Sequence, residues 1–471
     1  MTDITGRPEL EAFTGLLRLH PAVADALVTA GSGGAGPTVW IVPDPDTAPL
    51  LHRAARIEDE GRLAGLGWHE PAPGFQVAGL NRVETDFLYR EIFVDGSYLR
   101  SSASLPPDAV VVDIGANIGM FALRVALLHP RARVVAVEPV ADVAAAIRLN
   151  AELYGTDIIT MCAAVGEAES ETDFTFYRHN SVMSGRFADE AEDAAVLKAY
   201  VLTGPGSADP QRLDRVVAER LVPERRRVPV TTLTSLAERH RLDRIDLLKV
   251  DAEKSEWEVL AGIAPELWPR IDRVAMEVHD IGGRLAAVLG LLRRQGFTVS
   301  SDQDPRLVHT PCHAVYAYRP EAVSDVATEA SPELRPGTGP TRRELERDVQ
   351  RLFTDQFPET DGPVSVVMVP DLARSQAAGP APTASSPGTG RTAVLVEAWE
   401  TLFGPGSARP GADFFELGGT SMLALRLMDL VERHLGEGTL TPDVIFGEAT
   451  FDALASTIEA SRPTPVANPT R

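Results

Sequence analysis

Val110-Val-Val-Asp113-Ile-Gly115-Ala116-Asn117-Ile-Gly119-Met120-Phe121, then Val134-Val-Ala-Val-Glu138-Pro139, is the stretch that decides the fold. A continuous β-branched run reads as a strand buried on both faces. It ends in Asp113 and breaks into a glycine turn, after which residues 118–128 carry apolar side chains at helical spacing. Glycine at such a strand-to-helix turn lets the backbone bend tightly and lets a ligand approach closely. A dinucleotide site would want Gly-x-Gly-x-x-Gly. Here the pattern is Asp-x-Gly-x-Asn-x-Gly, with Asn117 in the middle glycine's place, which disfavours a nicotinamide cofactor. Glu138 ends the second run, where a carboxylate can accept both hydroxyls of a ribose. The plain alternative is a structural turn beside a solvated acid.

Outward from this point, apolar runs alternate with helical patterns across residues 109–320. Runs at 158–164, 245–250, 274–278, 297–300 and 314–318 follow, with an Ala-rich helix expected at 141–153. This alternation means an α/β domain with a doubly wound, mostly parallel sheet. Between Tyr177 and Arg227 the pattern gives way to one helix, expected at 189–201, and Gly/Pro-rich turns. An insertion of that length reads as a lid or substrate loop.

Length suits roughly three domains at ~150 residues each. The net charge of -22 argues against a nucleic-acid binder, which needs a basic surface. No apolar run suits a membrane span, and the start lacks a signal-peptide core, so a cytoplasmic protein is expected. Cys162 and Cys312 are too few for a disulfide framework. Of the basic residues only Lys198, Lys249 and Lys254 are lysines, and two of these flank Asp251.

The quoted stretch, with IDLLKVDAEKSEWEVLAGI and VAMEVHD, resembles class I S-adenosylmethionine-dependent methyltransferases, and within them the FkbM family of O-methyltransferases. The resemblance begins near residue 80 and includes ETDFLYREIFVDGSYL. It implies a Rossmann-like sheet with S-adenosylmethionine as cofactor. Gly115, Ala116, Asn117 and Gly119 would line its methionine end and Glu138 would hold the ribose. Ala164, within the segment from Cys162 to Val165, would flank the adenine, and Asp113 would orient the loop, through water. One departure stands out: the family has Gly after the Glu of KxDxE, where this chain has Lys254, expected to begin a helix turn.

Lys249, Asp251 and Glu253 alternate as the chain leaves a strand, and Glu277 and His279 end the next strand with the same spacing. In open α/β sheets ligands sit at that edge. Methyl transfer to a hydroxyl needs collinear positioning and removal of a proton. His279 is the expected general base, by its ordinary pKa. Asp251 or Glu253 would orient it, and Lys249 would stabilise an alkoxide or anchor a carbonyl. The bland alternative is a bracing network around Lys249. A metal held by Asp251, Glu277 and His279 is chemically allowed, but no further ligand spacing supports one and none is expected. His179 and Asn180 are weaker candidates for substrate or adenine contact.

Near the C-terminus, Asp413-Phe-Phe-Glu-Leu-Gly418-Gly419-Thr420-Ser421 precedes an apolar helical pattern. Taken alone, Ser421 is an ordinary helix N-cap. The stretch resembles peptidyl and acyl carrier proteins of nonribosomal peptide and polyketide synthases. That implies a helical bundle whose Ser421 carries 4'-phosphopantetheine, added by a phosphopantetheinyl transferase. A phosphodiester at a helix N-terminus is favourably placed. From 392 to 460 there are 11 acids and three Arg, net -8, which suits basic partner surfaces.

Residues 8–43 and 341–372 resemble parts of the small C-terminal lobe of adenylation domains, without the catalytic Lys and without the large lobe. A separate adenylation or loading enzyme and other synthase modules are then the expected partners. The expected layout is a split α+β lobe (1–75 and 321–374) around the methyltransferase (76–320), a linker (375–390), the carrier (391–462) and a disordered tail (463–471). The 16-residue linker would span roughly 20–24 Å and present substrate at about millimolar effective concentration. The expected activity is O-methylation of a hydroxyl on an acyl or aminoacyl group thioester-linked to the arm. The rivals are N-methylation of a tethered amine, and a carrier scaffold with an inactive methyltransferase fold.

Overall fold

A computed structural model describes residues 7–30, 36–99, 105–202, 220–304, 310–322, 339–358, 364–375, 390–404, 421–436 and 450–460, with a few residues between them. The central parts of both linker stretches and the 463–471 tail lie outside the described residues, as do Gly418, Gly419 and Thr420. The chain divides into two compact units, one of residues 1–78, 148–156 and 332–383, the other of the remainder.

In the first unit the chain leaves and returns to a shared core. Val23–Thr29 pairs antiparallel with Thr38–Pro43, and the same strand pairs in parallel with Ser365–Met368, more than 300 residues later. Phe13, Leu17, Ile41, Val349 and Phe353 are buried together. Phe13 meets Phe353 edge-on at 5.6 Å, a favourable aromatic geometry. A capping box at Thr341 and Glu344 starts the returning helix, Arg342–Gln356.

The second unit holds a seven-stranded sheet. Its strands are β1 (Val110–Ile114), β2 (Arg133–Val137), β3 (Ile158–Met161), β4 (Leu247–Val250), β5 (Arg273–His279), β6 (Thr298–Asp302) and β7 (Cys312–Tyr318). Their spatial order is β6-β7-β5-β4-β1-β2-β3. β3, β2, β1, β4 and β5 run parallel, while β7 is antiparallel to both β5 and β6. This is the class I methyltransferase sheet. The parallel strands are apolar on both faces because helices such as Met120–Leu128 and Arg284–Arg294 accompany them. The order reverses at β1, so the crevice beyond the carboxyl ends of β1 and β4 is the ligand-binding place of such a sheet.

The insertion after Tyr177 has a core of its own. Tyr177, Leu197, Val217 and Leu221 are buried together, and its helix runs Glu190–Leu202. The C-terminal part is helical, with Gly390–Phe403, Ser421–Leu435 and Phe451–Ala460. Trp399 centres its core, with Phe414 and Phe451 edge-on at 5.6 and 5.4 Å. No helix among the described residues is long and apolar enough to cross a membrane.

Candidate active site

The loop after β1 turns through three left-handed residues, Gly115, Asn117 and Gly119, with φ of 70°, 50° and 84°. Gly115 is obligatory. A Cβ there would lie 1.7 Å from the Asp251 carbonyl oxygen, so the glycine lets the loop after β1 rest directly on the end of β4. The Gly115 and Ala116 amides both donate to the Val137 carbonyl, closing the loop against β2. Lys249 Nζ donates to the Gly115 carbonyl at 2.8 Å.

Glu138 is buried at the end of β2. One of its oxygens accepts from the Asn117 amide at 3.1 Å and the other from Val140 at 3.0 Å. Each carboxylate oxygen has more than one lone pair, so both keep capacity for ribose hydroxyls. Burial pushes this carboxyl up to about 7, against the pull of those amides. Cys162 lies beside it, its thiol 3.5 Å from the Pro139 carbonyl. Ala164 begins a short strand that pairs with Val230, just past that point. Glycine loop, buried acid and flanking segment thus occupy one edge, and this donor set fits an adenosyl group.

The structure brings the acceptor-side residues to the same edge but gives some of them other work. Lys249 sits opposite Asp113 in the sheet register. Its amine lies 3.1 Å from Asp113 and 3.5 Å from Asp251. Burial pulls the amine's pKa down, but the two carboxylates overrule it and raise it. Lys249 is therefore a buried brace under the glycine loop, with its amine already engaged, rather than an anchor for an alkoxide. Asp113 meets the Lys249 amine directly. Asp251 accepts from the Tyr98 hydroxyl at 3.1 Å and does not orient His279. Tyr98 also places its ring 5.2 Å from the Lys249 amine.

His279 is held on both ring nitrogens. Nδ1 faces Glu256 at 2.8 Å and Nε2 faces Glu253 at 3.3 Å. Burial alone would lower its pKa, but the Glu253 charge and the Glu256 hydrogen bond raise it. The flanking carboxylates favour the charged ring, so His279 is a poorer proton acceptor than the free base expected from its ordinary pKa. Glu256 also binds Arg284 at 2.9 Å. Glu253 is pushed well above the carboxylate range by burial, with His279 opposing. Glu277 is pushed up to about 7 by burial and by Asp251. Oxygens of Asp251, Glu253 and Glu277 lie within 4.8 Å of one another.

Glu253 and Lys254 form a left-handed turn, with φ of 21° and 64°. The helix begins only at Glu256, so Lys254 precedes it and does not open a helical turn. A left-handed non-glycine residue costs about 1 kcal/mol. Lys254 is buried nonetheless, with its amine 2.8 Å from Asp193 and 3.1 Å from Glu192.

The sequence reading missed several residues. Glu84 accepts from Asn81 at 2.9 Å, from the Val182 amide at 2.9 Å and from the Ser181 hydroxyl. Asn117 donates to that same Ser181 at 2.8 Å, tying the cofactor loop to the insertion's entry. The ETDFLY and SYL stretches contain Glu84 and Tyr98, so the signal was present there without a role. Asn180 is buried beside Ser181, while His179 is not among the buried polar residues. Ser421 opens its helix.

Residues 113–299 match the methyltransferase FkbM domain and residues 393–458 match the phosphopantetheine attachment site. The AMB antimetabolite synthetase AmbE of Pseudomonas aeruginosa is 31% identical over 484 residues, covering 96% of this chain and 22% of that protein. The chain thus spans about a fifth of that relative's length. The 31-O-demethyl-FK506 methyltransferase FkbM of Streptomyces tacrolimicus is 41% identical over 250 residues, covering 52% of this chain and 94% of that protein. Methyltransferase 1 of Beauveria bassiana is 30% identical, covering 47% of this chain and 84% of that protein.

Proposed function

The chain belongs to the FkbM methyltransferase family, and from that premise we propose that it O-methylates a hydroxyl of an acyl or aminoacyl group tethered by phosphopantetheine to its own Ser421. One observation carries the reading: the glycine loop with Glu138 and the Glu253–Glu277–His279 cluster share one sheet edge, meeting where Gly115 rests on Asp251, in a chain that also holds a carrier domain. S-adenosylmethionine, when bound, supplies an electrophilic methyl group. Glu138 and the 115–119 loop would hold it. Glu253 takes the hydroxyl proton: it lies just past the end of β4 with His279 Nε2 at 3.3 Å, a partner that favours its ionised form against burial. His279, held by Glu256 on its other nitrogen, steadies the Glu253 carboxylate's position. Asp113, Lys249 and Tyr98 hold Asp251 and the loop in place.

Phosphopantetheinyl transferase, a loading enzyme and neighbouring synthase modules are the partners this reading requires, in the cytoplasm. The split lobe around the methyltransferase is proposed as an adenylation-type remnant that serves as their docking platform.

Intact-protein mass spectrometry tests the proposal. The chain is converted to its holo form, loaded with hydroxylated aminoacyl groups and given S-adenosylmethionine. The arm gains one methylene, on oxygen, and Ser421→Ala abolishes the gain. A methyl on nitrogen moves the assignment to N-methylation. No gain on any arm leaves the inactive-scaffold reading.

A further inference from the structure

Lys254 links two parts of the second unit that the reaction needs in register. Its backbone amide donates to Glu256 Oε1 at 2.9 Å, the same oxygen that meets His279. Its side chain runs the other way, into the insertion. The amine donates to Asp193 Oδ1 at 2.8 Å and Glu192 Oε2 at 3.1 Å, both in the first turn of the helix Glu190–Leu202. Asp193 is itself buried, and its second oxygen accepts from the buried Tyr177 hydroxyl at 3.0 Å. Tyr177 belongs to the insertion's own core. The insertion's entry loop leans on the same turn: a Cβ on Gly185 would lie 2.9 Å from the Glu253 carbonyl oxygen.

A glycine would suit the left-handed backbone at Lys254 better than a lysine. A buried ammonium is also unfavourable unless paired. Both costs are offset by the pairing with Asp193 and Glu192, so the lysine's purpose lies in that contact with the insertion helix. We propose that Lys254 is a positioning residue for acceptor selection: it latches the insertion helix to the Glu253 turn and so fixes the wall against which the tethered acceptor is measured. This rests on the methyl-transfer reading for its consequence but not for the latch itself. Breaking a buried pair leaves its partner charge uncompensated, so the helix should loosen locally.

Hydrogen exchange on the full chain reads the latch. In Lys254→Gly the amides of residues 190–198 are expected to exchange at least tenfold faster, while those of β1 change less than twofold. Lys254→Arg retains the protection. Should Lys254→Gly fail to fold, Asp193→Asn makes the same test away from the left-handed turn. The second readout is selectivity. Holo chain is loaded separately with seryl, threonyl and homoseryl groups, and single-turnover methylation rates are compared. Lys254→Gly narrows the spread of rates at least fivefold, Lys254→Arg restores it, and S-adenosylmethionine affinity stays within threefold. Wild-type protection in both Lys254→Gly and Asp193→Asn overturns the proposal. So does a loosened helix with an unchanged spread, or equal loss of protection in β1. If no arm is methylated even by the native chain, the functional reading falls, and the exchange result still decides the latch.

Discussion

The two halves of the active edge are built from different materials. The cofactor half, at β1 and β2, uses backbone: left-handed glycines, amides paired to Val137 and one buried acid. The acceptor half, at β4 and β5, uses charge: Lys249 between two aspartates, His279 between two glutamates, and Lys254 under two acids of the insertion. Backbone geometry is set by local sequence and tolerates little. Charge networks depend on partners far along the chain, and each member is held by the others. The first half should therefore fail all at once and the second by degrees.

The most severe break is Gly115→Ala. The added Cβ meets the Asp251 backbone, so both halves move together. Stability should fall by at least about 3 kcal/mol. Thermal unfolding measures the loss, and calorimetry should find S-adenosylmethionine binding gone.

Glu253→Gln separates the halves. Loss of a proton acceptor lowers the single-turnover methylation rate by roughly 10²–10⁴-fold. Cofactor affinity should remain within about threefold, since Glu138 is untouched. A larger change in affinity would show that the two halves are one network.

A pH titration sharpens the contrast at Glu138. Its carboxyl titrates at about 7 in the free protein because of burial, and ribose hydroxyls donate best to the ionised form. Cofactor binding should tighten about tenfold from pH 6 to pH 8, as a group with that pKa ionises. Glu138→Gln should flatten the profile. The stability sign is opposite. A carboxyl raised on folding contributes stability below its unfolded value of 4.5 and loses it as pH rises through about 7, so Glu138→Gln should gain stability over native protein across that window.

What was legible in the sequence follows the same division. Gly115, Glu138 and the helix opening at Ser421 could be read because a few neighbouring residues define a strand end or a helix start. His279 could be placed at the edge, but its two carboxylate partners could not be foreseen. Its pKa is raised first by the Glu253 charge, and its Nδ1 is held by Glu256, 23 residues away at a helix start. Tyr98 meets Asp251 across 153 residues, Ser181 meets Glu84 across 97, and Lys254 meets Asp193 across 61. No local periodicity announces such pairs. The rarity of lysine was the one usable hint, since both lysines flanking Asp251 are buried cations with acidic partners.

Calorimetric titration with S-adenosylmethionine tests the central claim most directly. The native chain should bind one equivalent, Glu138→Ala should weaken binding at least tenfold, and Glu253→Gln should leave it within threefold. A chain that takes up no S-adenosylmethionine, or binds it equally well without Glu138, would contradict the account.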